Sequence, residues 1–117
     1  WIDDTDPDCL FLSVITIGEI RKGIEKLSDS QRRQTLQLWL AEELPIMFVG
    51  RILSLDFNIL IEWGSLTGRL EKQGKSMSAI DSLLAATALE GNYILVTRNV
   101  NDFINAGVKT FNPWDTP

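Results

Sequence analysis

The sequence predicts an α/β fold: a three-layer α/β/α sandwich around a mainly parallel sheet, in one domain of 117 residues. Three observations lead there. Short apolar runs at 10–15 (LFLSVI), 51–55 (RILSL) and 93–97 (YILVT) lack the polar alternation of a half-solvated strand, so they read as buried strands. Segments with helical spacing separate them, and strands alternating with helices pair in parallel through right-handed crossovers. The length suits one core of a sheet with helices around it and falls short of two full cores.

The elements follow in order. Residues 1–8 read as a loop with turn chemistry at Asp6-Pro7. After the strand at 10–15, Thr16 opens a helix: Thr16 and Glu19 stand at capping-box spacing, and Ile17, Ile20, Ile24 and Leu27 recur at helical intervals. A second helix covers about 29–43, with Leu36, Trp39 and Leu40 on one face. Beyond the strand at 51–55, Asp56 caps a helix over 57–73 that carries Phe57, Leu60, Ile61 and Leu70 inward, and Gly74 stops it. Ser78 begins a helix over 78–90, with Ile80, Leu83, Leu84, Thr87 and Ala88 as its apolar side and Gly91-Asn92 as its close. Then come the strand at 93–97, a short helix near 99–105 and a last short strand at 108–111. Trp1, Trp39, Trp63, Trp114 and Phe57 read as core or interface anchors, and Cys9 as a small buried hydrophobe.

Composition narrows the chemistry. Apolar residues make up 44% and charged residues 23%, ordinary values for a folded globular chain. No apolar run approaches the ~20 residues that span a bilayer, and no basic-then-apolar opening is present, so no membrane partner is expected. The single cysteine excludes a disulfide framework and a cysteine-only zinc site. The absence of histidine excludes imidazole-based ribonuclease chemistry, Ser-His-Asp hydrolysis and histidine-ligated metals. Carboxylates, hydroxyls, amines or a carboxylate-held metal are what remain. The net charge of −5 gives no bulk support for a nucleic-acid partner. Four of the acids (Asp3, Asp4, Asp6, Asp8) lie in the first eight residues, and the rest of the chain is close to neutral. Arg21, Lys22 and Lys26 form a local basic group that also reads as an ordinary solvated helix face.

Three acids carry the chemical argument. Glu19 lies beyond the first strand, in the opening turn of its helix. Asp81 lies in the opening turn of helix 78–90 among small and apolar residues, and Asp102 lies just beyond the third strand. In parallel sheets ligands bind outside the carboxyl ends of the strands, so these side chains can converge. Clustered carboxylates without histidine are the oxygen set that Mg²⁺ or Mn²⁺ prefers. Each acid also has a structural reading: Glu19 as the capping partner of Thr16, Asp81 as that of Ser78, and Asp102 as an ordinary first-turn aspartate. Thr97 and Asn99 can add hydroxyl and amide oxygens to the same pocket or cap the short helix.

The segments LSVITIGEIRKGIEKL (12–27), GRILSLD (50–56), SAIDSLLAATALEGNYILVTRNVNDF (78–103) and VKTFNPWD (108–115) together resemble the PIN-domain toxins of the VapC type, over nearly the whole chain. The FNPW ending suggests the FitB-like branch. The resemblance implies a cytoplasmic toxin–antitoxin ribonuclease that cuts RNA with Mg²⁺ or Mn²⁺ held by clustered acids. It implies inhibition by a cognate antitoxin that lays a peptide over the site, and a homodimer. By position, Glu19 and Asp81 match two of the family's acids. The family's last acidic position falls after the Thr-Arg pair, where this chain has Asn99, so Asp102 is the nearest carboxylate to take that role. Arg21, Arg98 and Thr97 are candidate substrate contacts. The family opens with a strand ending in a ligand aspartate. The opening here, Trp1 with IDDTDPD, resembles the region after the family's first helix, so the domain is expected to be N-terminally incomplete. The alternative reading is a catalytically impaired PIN-like module that dimerises and binds its antitoxin without cleaving RNA. A further rival is another Mg²⁺-dependent phosphotransfer enzyme on a similar sheet.

Overall fold

In the computed structural model, which describes residues 10–113, Ser13 and not Thr16 caps the first helix. The described residues form two compact units, 10–54 and 55–113. The readings made on residues 1–8, Cys9 and Trp114 fall outside the described residues.

The first unit contains β1 (Leu12–Ser13), α1 (Val14–Glu25), α2 (Gln31–Leu38), a π turn (Trp39–Glu43), α3 (Leu44–Met47) and β2 (Ile52–Leu53). β1 and β2 pair in parallel, with Leu12 opposite Ile52 and Ser13 opposite Leu53. Arg51 secures this pair. Its guanidinium donates to the carbonyls of Leu10 and Met47 and lies 5.3 Å from the centre of the Phe48 ring. Ser13 keeps extended backbone angles while its Oγ accepts from Ile15 N at 3.1 Å. That ends the strand after two residues and starts the helix at Val14. Thr16 and Glu19 are therefore helical residues, and the expected capping box between them does not form: the orphan N–H it would have satisfied lies one turn earlier. Along α1, Ile24 is buried, and Ile17 and Ile20 are half-buried.

α2 is capped by Ser30, whose Oγ accepts from Arg33 N at 3.2 Å. The helical path then runs past the expected stop at residue 43. Pro45 has no N–H to give the preceding turn, and its ring crowds that turn. The chain widens there into one π turn, closed by Leu44 N bonding Trp39 O, before α3 resumes. Leu44 is buried, while Leu36, Trp39 and Leu40 are half-buried.

The second unit contains α4 (Phe57–Lys72), α5 (Ala79–Gly91), β3 (Leu95–Val96), a 3-10 segment (Val100–Ala106) and β4 (Thr110–Phe111). Asp56 caps α4 as expected, its Oδ1 accepting from Ile59 N at 2.9 Å. Gly74, at φ +70, ends it. The buried face of α4 differs from the expected one. Ile59, Leu66 and Leu70 are buried, whereas Phe57, Leu60 and Ile61 are exposed. In the first half of α4 only Asn58 and Glu62 interrupt the apolar residues, so sequence period leaves more than one face open; packing against α5 selects between them. Ser78 caps α5, and Asn92, at φ 55, closes it. Here too the buried set shifts, to Ser82, Ala85, Ala86, Thr87 and Ala88, with Ile80 exposed. Leu66, Leu70, Ala85, Phe103 and Ala106 form the core of this unit.

β3 and β4 pair in parallel, Leu95 opposite Thr110 and Val96 opposite Phe111. Flanking bonds from Leu95 N to Lys109 O (2.8 Å) and Thr97 N to Phe111 O (3.0 Å) extend the ladder. Parallel pairing is as expected, but in two separate pairs of two-residue strands and without full burial: Val96 is exposed. Among the described residues each strand has a single paired neighbour, so one edge of its ladder is left uncovered by hydrogen bonding. No helix among the described residues is long and apolar enough to cross a membrane.

Candidate functional site

Asp81 stands in the opening turn of α5. α5 begins where Ser78, extended at φ −61 and ψ 155, turns its Oγ onto Asp81 N at 3.2 Å. This is the capping bond that a serine three residues ahead of an aspartate provides, and it fixes the backbone of the first turn. Asp81 is half-buried and lies directly before the fully buried Ser82. A carboxylate at a helix N-terminus interacts favourably with the unpaired N–H groups and the dipole there.

The segment after β3 brings the other sequence-chosen residues of this unit together. Thr97 Oγ1 accepts from Asn99 N at 3.1 Å, and Asn99 O accepts from Asp102 N at 3.0 Å. Thr97, Asn99 and Asp102 are thus held in one hydrogen-bonded turn. Asn99 stands at the cap of the 3-10 segment but makes no side-chain capping bond, so its amide is not engaged in the capping role that was its structural reading. Asn99 and Asp102 are both exposed. Asn112 steadies the turn from the far strand, its Nδ2 donating to Arg98 O at 3.4 Å. This was not anticipated; the sequence signal was the Asn of the FNPW ending, directly after a strand.

Glu19 and Arg21 belong to the first unit, on α1. Glu19 is exposed and stands in the second turn of α1, because the helix starts at Val14. Arg21 pairs with Glu25 at 2.9 Å, and Arg33 joins the same carboxylate at 3.1 Å. Any phosphate contact by Arg21 would exchange this exposed pair, which is worth little in water. The same unit holds an open groove of about 550 Å³ lined by Thr35, Leu36, Leu38, Trp39, Glu42 and Glu43. It contains none of the candidate residues.

The donor chemistry fits a hard divalent cation: the candidates offer carboxylate, amide and hydroxyl oxygens, and the chain has no imidazole. Within neither unit, among the described residues, do three acidic or cysteine side chains gather closely enough to hold a metal by themselves.

A family profile described as PIN domain matches residues 1–109. The chain belongs to the PIN-domain family. Its type is that of the VapC toxins. Over 114 residues it is 31% identical to toxin FitB of Neisseria gonorrhoeae, covering 97% of this chain and 82% of FitB. Over 115 residues it is 31% identical to the VapC ribonuclease Y4jK of Sinorhizobium fredii, covering 98% of this chain and 82% of that protein. Among solved structures, the N. gonorrhoeae FitAcB crystal structure superposes with a TM-score of 0.92 at 30% identity, over 99% of this chain and 84% of that one. The PIN fold expected from the sequence is thereby borne out.

Proposed function

We propose that this PIN-domain chain is the ribonuclease toxin of a toxin–antitoxin pair, an endonuclease that hydrolyses RNA phosphodiesters in the cytoplasm and acts as a homodimer restrained by a cognate antitoxin. The observation that carries the reading is the position of Asp81: a half-buried carboxylate on a capped helix turn, at the place where the chain matches the family's aspartate. Likeness along nearly the whole chain to a protein named VapC ribonuclease supports the reaction class.

In this reading Asp81 is a ligand of Mg²⁺ or Mn²⁺, with Asp102 or Asn99 filling the last position of its unit, and Glu19 is the acid of the first unit that the likeness to the family assigns to the same role. The ion, when bound, polarises the phosphoryl group and lowers the pKa of a bound water. The residues of the chain supply orientation. Ser78 fixes the turn of Asp81, and the Thr97–Asn99–Asp102 turn presents its oxygens together. Arg98, with Arg21 once its pair with Glu25 opens, contacts substrate phosphates, and Thr97 lends a hydroxyl.

The test uses the full chain with RNA and Mn²⁺. Asp81→Asn should reduce cleavage by at least about a hundredfold, the scale of losing several kcal/mol of charge stabilisation. Its thermal midpoint without metal should stay near that of the parent. Full cleavage by Asp81→Asn refutes the mechanism. Binding of the antitoxin with no RNA cleavage at millimolar Mn²⁺ supports the alternative, a non-cleaving module. Turnover of a small phosphomonoester in place of RNA supports a different phosphotransfer enzyme.

A further inference from the structure

We propose that Trp63 and Ser82 are positioning residues that set where Asp81 stands. The proposal rests on the reading of Asp81 as a metal-holding carboxylate.

Trp63, on α4, donates its indole Nε1–H to Ser82 Oγ at 2.9 Å, across to α5. Ser82 is 1% exposed. Its hydroxyl in turn donates to Ala79 O at 2.8 Å, within the first turn of its own helix. A hydroxyl has one proton to give. That proton is spent on Ala79, so the oxygen's lone pairs are aimed and the indole meets one of them. The backbone N of Ser82 bonds Ser78 O at 2.9 Å, and Asp81 N bonds Ser78 Oγ at 3.2 Å. The turn bearing Asp81 is thus pinned along the chain by Ser78 and sideways by Trp63.

A helix's opening turn is ordinarily its least constrained part, since its first N–H groups have no partners within the helix. Stability alone does not call for a hydroxyl here. Ala85 and Ala86 show that the α5 side of this core accepts alanine, and apolar contacts would cover the same surface. What a hydrogen bond adds is direction: distance and angle are both restricted. An indole–hydroxyl bond between two helices fixes the rotation of α5 about its axis and its slide along α4. The adjacent residue is Asp81. A rotation of α5 moves a carboxylate at the end of its side chain further than it moves an alanine methyl close to the axis.

The experiment compares the parent, Trp63→Phe, Ser82→Ala, the double variant and Asp81→Asn in the full chain. Mn²⁺ is the probe, titrated by calorimetry and by its paramagnetic resonance signal, with thermal midpoints taken without metal. Trp63→Phe keeps the ring in the core and removes the N–H. Each single variant should weaken Mn²⁺ binding about three- to tenfold, below the loss typical of a partner bonded directly to a ligand. The double variant should lose less than the product of the two, because both remove one bond. Lower midpoints with unchanged Mn²⁺ affinity overturn the proposal and leave the pair a structural contact. In that case a large loss in Asp81→Asn keeps the reading of Asp81 intact. Unchanged Mn²⁺ binding in Asp81→Asn overturns that reading and this proposal together. Should Ser82→Ala fail to fold, Trp63→Phe decides alone.

Discussion

Leu66 and Leu60 lie on the same helix and differ in which face they occupy, so replacing each with alanine measures which side of α4 is the core. Leu66 is 1% exposed and belongs to the cluster with Leu70, Ala85, Phe103 and Ala106. Truncating it removes a fully buried side chain and leaves a hole that these neighbours fill only in part. The expected cost is about 3–4 kcal/mol. Leu60 is 42% exposed. Its truncation forfeits part of a transfer term of about 2 kcal/mol and opens no enclosed cavity, so the cost should be about 1 kcal/mol. The chemistry, the helix propensity change and the effect on the unfolded chain are the same in both variants. Both sites lie in one unit, so the comparison stays within it. Urea unfolding followed by far-ultraviolet circular dichroism reads the difference. With a slope of about 2 kcal/mol per molar, Leu66→Ala should lower the midpoint by roughly 1.5–2 M and Leu60→Ala by about 0.5 M. Equal losses, or a larger one at Leu60, would refute the assignment of the buried face.

Two further predictions concern helix ends. Ser13→Ala should cost about 1 kcal/mol by removing the acceptor for Ile15 N, while Thr16→Ala should be near neutral; the opposite order in thermal unfolding would restore a helix start at Thr16. Asn92→Ala should cost about 1 kcal/mol, because Asn92 holds a left-handed conformation at φ 55, and Asn92→Gly should be neutral or stabilising; an alanine as stable as the glycine would contradict that backbone.

Much of this was legible in the sequence where one residue had one role open to it. Asp56 and Ser78 each stand directly before a helix rich in apolar residues, and both cap as expected. The start of α1 was misread because Ser13 and Thr16 both offer a hydroxyl, and Glu19 completes a plausible pair with the wrong one. The strand was expected to continue to residue 15, which left Ser13 inside it. The face of α4 was misread because Phe57, Ile59, Leu60 and Ile61 surround its first turn, so the periodic signal vanishes where it was needed. The π turn at Trp39–Glu43 has Pro45 as its sequence cause, but a proline at a helix's first position looks the same as one that widens the turn before it. At the site, Asp81 was legible as a charge between apolar residues in an opening turn. The role of Trp63 was not, because indole and hydroxyl lie nineteen residues apart and neither carries a motif.

The alanines of α5 have a consequence of their own. Ala85, Ala86 and Ala88 are buried, and an alanine surrenders no rotamer entropy when it is enclosed. This stretch of α5 is therefore assembled from parts that have no torsions to freeze and none to thaw. Warming cannot loosen it by side-chain hopping, and a bulkier residue has no alternative rotamer in which to hide. The alanines thus give the helix close approach without direction, and direction is what the Trp63–Ser82 bond supplies.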